Sequence, residues 1–237
     1  MKNTKPIQTI SEEEIAKFYR EGYIVIEGLA PDEAIKAVLN KAKEKPVEAG
    51  GSWNAVIFDH SNPIANPDLH RLLVEPRIVN VVERIFEAPA RVYYGMLAVV
   101  PAHGGKGLEW HQDNMYDLVL GRALNVFIAL CDITSDKGML WISPKSHLKG
   151  VEESLTQEGH RVAKEPANGE ALPTLKRGSV VIFDRNTLHR SKSNETNEDR
   201  YAYAAQYQED RARNSITGEK DSTKMLVTEL RDVWRQE

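Results

Sequence analysis

The stretch EWHQD, residues 109–113, decides which fold the sequence predicts. It follows the glycine-rich segment HGGKG (103–107) and precedes a run that turns hydrophobic. Because residues i and i+2 of a β-strand point to the same face, His111 and Asp113 would present an imidazole and a carboxylate side by side. The stretch therefore predicts two ligands of a metal site, although a His-x-Asp pair by itself also occurs by chance.

The other members of the predicted site lie in LHRSKSNETNEDRYAY (188–203), which reads as strand, polar turn and strand. His189 and Ser191 share one face of the first strand, and Arg200 shares a face with Gln206 on the second. Two histidines and one carboxylate form a facial triad, which holds Fe(II) and leaves three coordination positions open. An inward-facing arginine offers a planar fork that binds a carboxylate at two points. The combined pattern predicts an iron site beside a carboxylate-binding arginine.

Length and composition exclude several classes of protein. The chain has 237 residues, of which 41% are hydrophobic, so it can bury the core of one large domain. A net charge of -4 without long runs of like charge makes nucleic acid an unexpected partner. The single cysteine, Cys131, fits a reducing compartment. No apolar run reaches the roughly 18 residues of a membrane span and no export signal opens the sequence, so we expect a cytoplasmic protein.

Helical patterns dominate the first part of the chain. Ser11 and Glu14 form a capping box at the start of SEEEIAKFYREG, and a short strand, YIVIEGL (23–29), follows this helix. Two further segments, PDEAIKAVLNKAKEK (31–45) and PRIVNVVERIFE (76–87), also predict helices. The N-terminal part is therefore expected to be mainly helical.

From residue 91 onward, short β-type runs separated by Gly, Pro, Asn and Asp predict an antiparallel sandwich or barrel. The runs are RVYYGMLAVV, ALNVFIALCDI, GMLWIS, GSVVIFDR and RYAYAAQYQED. The polar insert 152–173 and the segments 50–68 and 114–121 are expected to be loops. The sequence thus predicts a single domain over 1–237, with a helical N-terminal part at about 1–90, a barrel at about 91–210 and a C-terminal helix at about 221–236.

Four segments of the chain resemble the phytanoyl-CoA dioxygenase-like branch of the iron- and 2-oxoglutarate-dependent dioxygenases. They are FYREGYIVIEGL (18–29), WHQD (110–113), IALCDITSDKGMLWISPKSH (128–147) and LHRSKSNETNEDRYAY (188–203). The resemblance implies a mainly β fold with buttressing helices, namely a double-stranded β-helix or jelly roll. One departure is SPKSH, where Lys145 stands in place of the glycine of the family's usual Pro-Gly-Ser-His.

The same resemblance implies roles for individual residues. His111, Asp113 and His189 would be the iron ligands and the catalytic centre. Arg200, helped by Ser191, would bind the far carboxylate of the cosubstrate 2-oxoglutarate, and Phe127 would line the pocket. The implied reaction uses O2 to hydroxylate or otherwise oxidise a small-molecule substrate, and it releases succinate and CO2.

Two other classes of function share parts of this pattern. A cupin-like metal-dependent isomerase or lyase would use the barrel and the histidines but would not need Arg200 and Ser191. A non-catalytic small-molecule-binding member of the fold would tolerate the loss of a ligand. In the predicted loops, Trp53, Asn54 and Tyr116 are candidates for the substrate pocket, and ordinary loop packing is the alternative for Trp53 and Asn54.

Overall fold

A six-stranded antiparallel sheet is the frame of the protein, with the strand order β1-β10-β5-β12-β3-β2. The computed structural model describes residues 10–44, 51, 54–57, 67–220 and 224–235. The strands of this main sheet are β1 (Tyr23–Ile26), β2 (Asn54–Ile57), β3 (Ala90–Val100), β5 (Ala123–Ala129), β10 (Val180–Asp184) and β12 (Arg200–Glu209). Its two outer strands, β1 and β2, come from the N-terminal part of the chain.

A smaller sheet faces the main one, and helices cover the opposite side. The smaller sheet has the order β11-β6-β9, and two further two-stranded sheets, β4 with β13 and β7 with β8, complete the strands. These strands are β4 (Val119–Leu120), β6 (Leu140–Ile142), β7 (Ser154–Gln157), β8 (His160–Ala163), β9 (Glu170–Ala171), β11 (His189–Ser191) and β13 (Arg213–Asn214). The helices are α1 (Glu12–Glu21), α2 (Asp32–Ala42), α3 (Pro76–Phe86) and α4 (Val227–Arg235). None of these helices has the length and apolar character that crossing a membrane requires.

Strand β5 is buried on both faces because each face packs against a different layer. Val126 and Ile128 pack in the core formed with the helices, whereas Phe127 and Ala129 pack in the core shared with the smaller sheet. This alternation follows from the period of two residues in a strand. The inner face of the main sheet is therefore available to line a cavity between the sheets.

The helix before β1 begins and ends where the sequence predicts. The Ser11 hydroxyl accepts a hydrogen bond from the Glu14 amide at 3.2 Å, and the Glu14 carboxylate accepts one from the Ser11 amide at 2.7 Å. Gly22 ends the helix in the left-handed region with φ 85°, which glycine adopts without steric cost, and β1 starts at the next residue. The capping box is thus confirmed.

The expectation of a long loop over 152–173 is wrong. Residues 154–163 of this insert form the β7–β8 hairpin, and Glu170–Ala171 forms β9. The two turn residues, Glu158 and Gly159, both have positive φ, which suits the twist of a two-residue hairpin turn. The residues of β7 are mostly exposed and those of β8 are mostly half-buried, so the hairpin lacks the alternation of buried apolar and exposed polar residues that signals a strand in a sequence.

The expected loop over 50–68 also contains a strand. β2 pairs with β3 through the register Asn54↔Val99 to Ile57↔Met96. The rest of that segment, apart from residue 51 and residues 67–68, lies outside the described residues. Residues 54–57 of this segment therefore lie beside β3, at the edge of the main sheet.

Lys145 adopts the left-handed conformation that the family's glycine would adopt at this turn. Its φ is 65°, and its amide donates a hydrogen bond to the Glu21 carbonyl at 2.8 Å. A short 3₁₀ helix, Ser146–Lys149, follows directly. Lys145 thus adopts a left-handed backbone conformation that is strained, because its Cβ atom clashes with the following carbonyl oxygen.

We expect Lys145→Gly to raise the free energy of unfolding by about 0.5–1 kcal/mol, because the left-handed conformation costs roughly 1–2 kcal/mol for a residue with a Cβ and glycine's greater entropy in the unfolded chain offsets part of the gain. Urea denaturation measures the change. The control is Lys145→Ala, which removes the exposed 3.9 Å contact with Glu21 but keeps the Cβ, and so should not stabilise the fold. Equal stability of the two variants would contradict backbone strain at this turn.

Candidate metal centre

Two backbone hydrogen bonds join His111 and His189 as an antiparallel pair. The His111 amide donates to the His189 carbonyl at 3.0 Å, and the His189 amide donates to the His111 carbonyl at 3.0 Å. The centroids of the two imidazole rings are 4.2 Å apart. His189 is the first residue of β11, which pairs with β6 of the smaller sheet. The two predicted histidine ligands are thus brought together by the backbone itself.

Both imidazoles are held in the same tautomer. Nδ1 of His111 lies 2.6 Å from the Glu109 carbonyl, and Nδ1 of His189 lies 3.0 Å from the Thr187 carbonyl. Because a carbonyl oxygen can only accept, each Nδ1 carries the hydrogen and each Nε2 keeps its lone pair. Such an outer contact orients a ligating histidine and raises its basicity. Both Nε2 atoms are therefore available to a metal ion.

The protonation state of His189 suits metal binding. Burial and the neighbouring His111 imidazole lower the pKa of His189 to about 4. His189 is consequently neutral at physiological pH, which is the form that donates an electron pair to a metal.

Asp113 joins the histidines through a turn and not through a continuous strand. After His111 the chain begins a 3₁₀ turn, Asp113–Met115, so the expectation that both ligands lie on one strand is wrong in this detail. Asp113 Oδ1 is nevertheless 3.7 Å from His111 Nε2. The ligand atoms of His111, Asp113 and His189 lie within 4.8 Å of one another, the one such group within the described part of the chain. These three atoms have the spacing and chemistry of a facial triad.

A buried arginine, Arg185, and a glutamine, Gln206, support the aspartate, and neither was predicted from the sequence to have a role in the site. Gln206 Nε2 donates to Asp113 Oδ2 at 2.9 Å, and Gln206 Oε1 accepts from Arg185 Nη1 at 2.9 Å. The other guanidinium nitrogens of Arg185 donate to the Asn114 side chain and to the backbone carbonyls of Asp113 and Asp117. Since Oδ2 already accepts a hydrogen bond, Oδ1 is the oxygen of Asp113 left for a metal.

A cavity of about 440 Å³ lies between the two sheets and includes the triad. Arg200 lies in its wall with 3% of its surface exposed, and its Nε and Nη1 have no hydrogen-bond partner within the described ranges of the chain. Its guanidinium lies over the Phe127 ring at 5.5 Å from the centroid. Burial lowers the pKa of Arg200 to about 10, which leaves it a cation at neutral pH. A buried, unpaired cation of this kind fits a ligand carboxylate.

Ser191 lies in the same cavity wall as Arg200. Its Oγ accepts a hydrogen bond from the Leu108 amide at 3.0 Å, which leaves the hydroxyl hydrogen free to donate. The close approach requires Gly107, since a Cβ there would lie 2.3 Å from the Ser191 carbonyl oxygen. The glycine-rich segment before the ligands therefore serves tight backbone packing.

The residues expected to line the substrate pocket have different outcomes. Tyr116 lies in the cavity wall, and its ring makes an edge contact with His111 at 6.2 Å between centroids. Trp53 lies outside the described residues, and the structure describes only the backbone of Asn54, in β2. His160, in the insert that was expected to be a polar loop, also lines the cavity. The β7–β8 hairpin thus contributes to the wall.

Known proteins resemble this chain in sequence. A sequence model described as phytanoyl-CoA dioxygenase (PhyH) matches residues 18–202. The ectoine dioxygenase of Bordetella parapertussis is 28% identical over 220 residues, which cover 78% of this chain and 71% of that protein. The phytanoyl-CoA dioxygenase domain-containing protein 1 of Bos taurus is 34% identical over 113 residues, 43% of this chain and 39% of that protein.

Solved structures share the fold. The epimerase SnoN, in complex with Fe3+, alpha ketoglutarate and nogalamycin RO, superposes with a TM-score of 0.71 at 20% identity, over 88% of this chain and 87% of its own. EctD from S. alaskensis, with 2-oxoglutarate and 5-hydroxyectoine, superposes with a TM-score of 0.66 at 22% identity, over 91% and 80%. The jelly-roll fold is confirmed. Because the sequence model covers well over half of its length, the chain belongs to the phytanoyl-CoA dioxygenase family.

Proposed function

We propose that this chain is an Fe(II)- and 2-oxoglutarate-dependent oxygenase of a small molecule, with His111, Asp113 and His189 as its iron ligands. One observation carries the proposal: the His-Asp-His triad shares a cavity with Arg200, a buried cation whose Nε and Nη1 have no hydrogen-bond partner among the described residues. Iron and 2-oxoglutarate, when bound, supply the chemistry that uses O2 to oxidise the substrate and releases succinate and CO2.

The chain itself holds and orients these groups. The Nδ1 contacts of His111 and His189 direct both Nε2 atoms to the metal, and Gln206 leaves one oxygen of Asp113 for it. Arg200 binds the far carboxylate of 2-oxoglutarate at two points, and the Ser191 hydroxyl donates to the same group. Phe127 stacks on the guanidinium and keeps it in place. The cavity walls exclude bulk water from the reacting atoms.

The two rival functions fit the site less well. A cupin-like isomerase or lyase needs the metal ligands but does not need a buried guanidinium such as that of Arg200. A non-catalytic binding member has no reason to keep three ligand atoms with matched tautomers and a supported aspartate. Membership of the phytanoyl-CoA dioxygenase family also favours the oxygenase.

The substrate is a small molecule that reaches the cavity past Tyr116 and the β7–β8 hairpin. Ectoine is named for several relatives at 26–28% identity over most of their length, and it is a first compound to test. A screen of small metabolites for compounds that stimulate succinate release would identify the substrate. Trp53 and Asn54 remain predicted pocket residues, and the cytoplasm remains the predicted location. The net charge of -4 gives no reason to expect nucleic acid as a partner.

Replacing a triad residue should abolish metal binding. We expect His189→Ala to weaken Fe(II) or Mn(II) binding by more than about 100-fold, since even outer contacts of a metal ligand contribute 10–100-fold. Anaerobic calorimetry measures the affinity. The matched control is His103→Asn, at an exposed histidine with φ 58° that asparagine tolerates, and it should bind metal as the wild type does. Unchanged affinity in His189→Ala would refute the ligand assignment.

Arg200→Ala should raise the KM for 2-oxoglutarate by roughly 30-fold or more, because breaking a buried charged pair costs about 2–5 kcal/mol. Metal affinity should stay at the wild-type value, since Arg200 contacts none of the ligands. Steady-state succinate formation measures the KM, and calorimetry measures the metal. Arg190→Ala removes a neighbouring guanidinium that faces Glu109 and Glu165, and serves as the control. The assignment fails if Arg200→Ala keeps the wild-type KM.

Gln206 should affect the metal through Asp113. Gln206→Glu retains an acceptor for Arg185 but replaces the amide that donates to Asp113, whereas Gln206→Leu removes both contacts. We expect either variant to lower metal affinity by about 10–100-fold, the usual effect of losing an outer contact. If Gln206→Glu binds metal like the wild type, the contact with Asp113 is not the one that matters.

A further inference from the structure

Asn125 is a buried amide without a hydrogen-bond partner in the described part of the chain. It lies in the wall of the cavity with 4% of its surface exposed. Neither its Nδ2 nor its Oδ1 contacts a donor or acceptor among the residues that the structure describes. Buried polar side chains are nearly always paired, because an unpaired one loses its hydration without compensation. An exception of this kind in a cavity wall points to a ligand.

The strand register places Asn125 at the metal end of the cavity. Its neighbours across the sheet are Phe183 on β10 and Gln206 on β12, and Gln206 holds the metal ligand Asp113. The backbone of Arg200 lies six residues before that of Gln206 along β12, a separation of roughly 20 Å in a strand, and its guanidinium lies over the Phe127 ring, two residues after Asn125 on β5. Asn125 is therefore next to the pair of Gln206 and Asp113 at the metal end, whereas the guanidinium lies over Phe127.

The cosubstrate cannot satisfy both atoms of this amide. The oxygens of 2-oxoglutarate are acceptors at neutral pH, so they could pair with Nδ2 and would leave Oδ1 without a donor. A partner for the whole amide must present a donor and an acceptor side by side. The substrate is the remaining ligand of the cavity that can do so.

The charges at this end of the cavity favour a neutral partner. Apart from Arg200, the arginine among the described wall residues is Arg185, and all three of its guanidinium nitrogens already donate to protein oxygens. The carboxylates of Asp113 and Asp117 line the same end. A carboxylate or phosphate would meet no unpaired cation here among the described wall residues and would lie close to negative charge.

We infer that Asn125 recognises the substrate, and that the substrate carries a neutral group with an adjacent donor and acceptor, such as a lactam or another amide. Asn125 Nδ2 donates to the acceptor of that group, and Oδ1 accepts from its N–H. The Phe183 ring borders the group on one side. This inference rests on the proposed function, because it takes the triad as the metal centre and Arg200 as the cosubstrate site.

The test uses two ring compounds of equal size as probes. 2-Piperidone presents an N–H beside a carbonyl, and cyclohexanone presents the carbonyl alone. Anaerobic enzyme loaded with Fe(II) and 2-oxoglutarate is titrated with each probe, and the rise in Tm gives the affinity. We expect wild-type enzyme to bind 2-piperidone about tenfold or more tightly than cyclohexanone, since one further hydrogen bond to a buried partner is made. Equal affinities in the wild type would overturn the inference.

Asn125→Leu removes both polar atoms and keeps the shape of the side chain. This variant should lose the preference for 2-piperidone, and its Tm without probe should be higher than that of the wild type because an unpaired buried amide is gone. A purely structural asparagine would give a lower Tm on substitution. Asn125→Asp keeps the acceptor for the N–H and loses the donor to the carbonyl, so it should bind both probes more weakly and keep the preference for 2-piperidone. A retained preference in Asn125→Leu, a lost preference in Asn125→Asp, or a lower Tm in Asn125→Leu would contradict the inference.

The cosubstrate provides the readout that separates this inference from the proposed function. Asn125→Leu should keep the wild-type affinity for 2-oxoglutarate, whereas a loss of that affinity with an unchanged preference for 2-piperidone would assign Asn125 to the cosubstrate instead. If wild-type enzyme shows no Fe(II)-dependent binding of 2-oxoglutarate, the proposed function itself fails. If it does bind 2-oxoglutarate and the probes do not differ, the inference on Asn125 alone is wrong.

Discussion

The paired backbone hydrogen bonds between His111 and His189 are the constraint on which the site depends. They join the segment that leads to Asp113 with β11, an edge strand of the smaller sheet, although the two histidines are far apart in the chain. Because each Nδ1 is also tied to a carbonyl two residues earlier, the backbone fixes the direction of both rings. The relative position of the two proposed histidine ligands is therefore set by main-chain hydrogen bonds, which are more rigid than side-chain contacts.

The residues that pack the helical core and the residues that line the cavity lie on opposite faces of the same strands. On β12, Tyr203 and Tyr207 point into the helical core, where Tyr203 contacts His70 and Tyr207 donates to the Leu73 carbonyl at 2.9 Å. Arg200 and Gln206 on the same strand line the cavity. The period of two residues thus lets a well-packed outer layer hold the inner face rigid while that face carries unpaired polar groups.

The sequence alone predicted which residues would lie together where their spacing along the chain indicates the face that they share. The triad, Ser191 and Arg200 follow from strand periodicity and from the family resemblance, and the structure places all of them around one cavity. The contacts of Arg185 and Gln206 could not be found this way, because their partners are distant in the chain. The exposure of Asn125 to the cavity likewise depends on how the strands pair. A β-bulge opposite Gln206 and Tyr207 even allows both Tyr93 and Tyr94 to line the cavity, which strict alternation forbids.

The β7–β8 hairpin connects to the metal centre through few contacts, which has a consequence for how the family diversifies. The Ala163 amide donates to the Trp110 carbonyl, and the Arg161 amide donates to the Tyr116 hydroxyl. The side chains of β7 are mostly exposed and those of β8 mostly half-buried, so they contribute little to the stability of the fold. Mutations can therefore accumulate in the hairpin without loss of the proposed iron ligands, so that one scaffold can acquire new substrates by exchanging a short surface module.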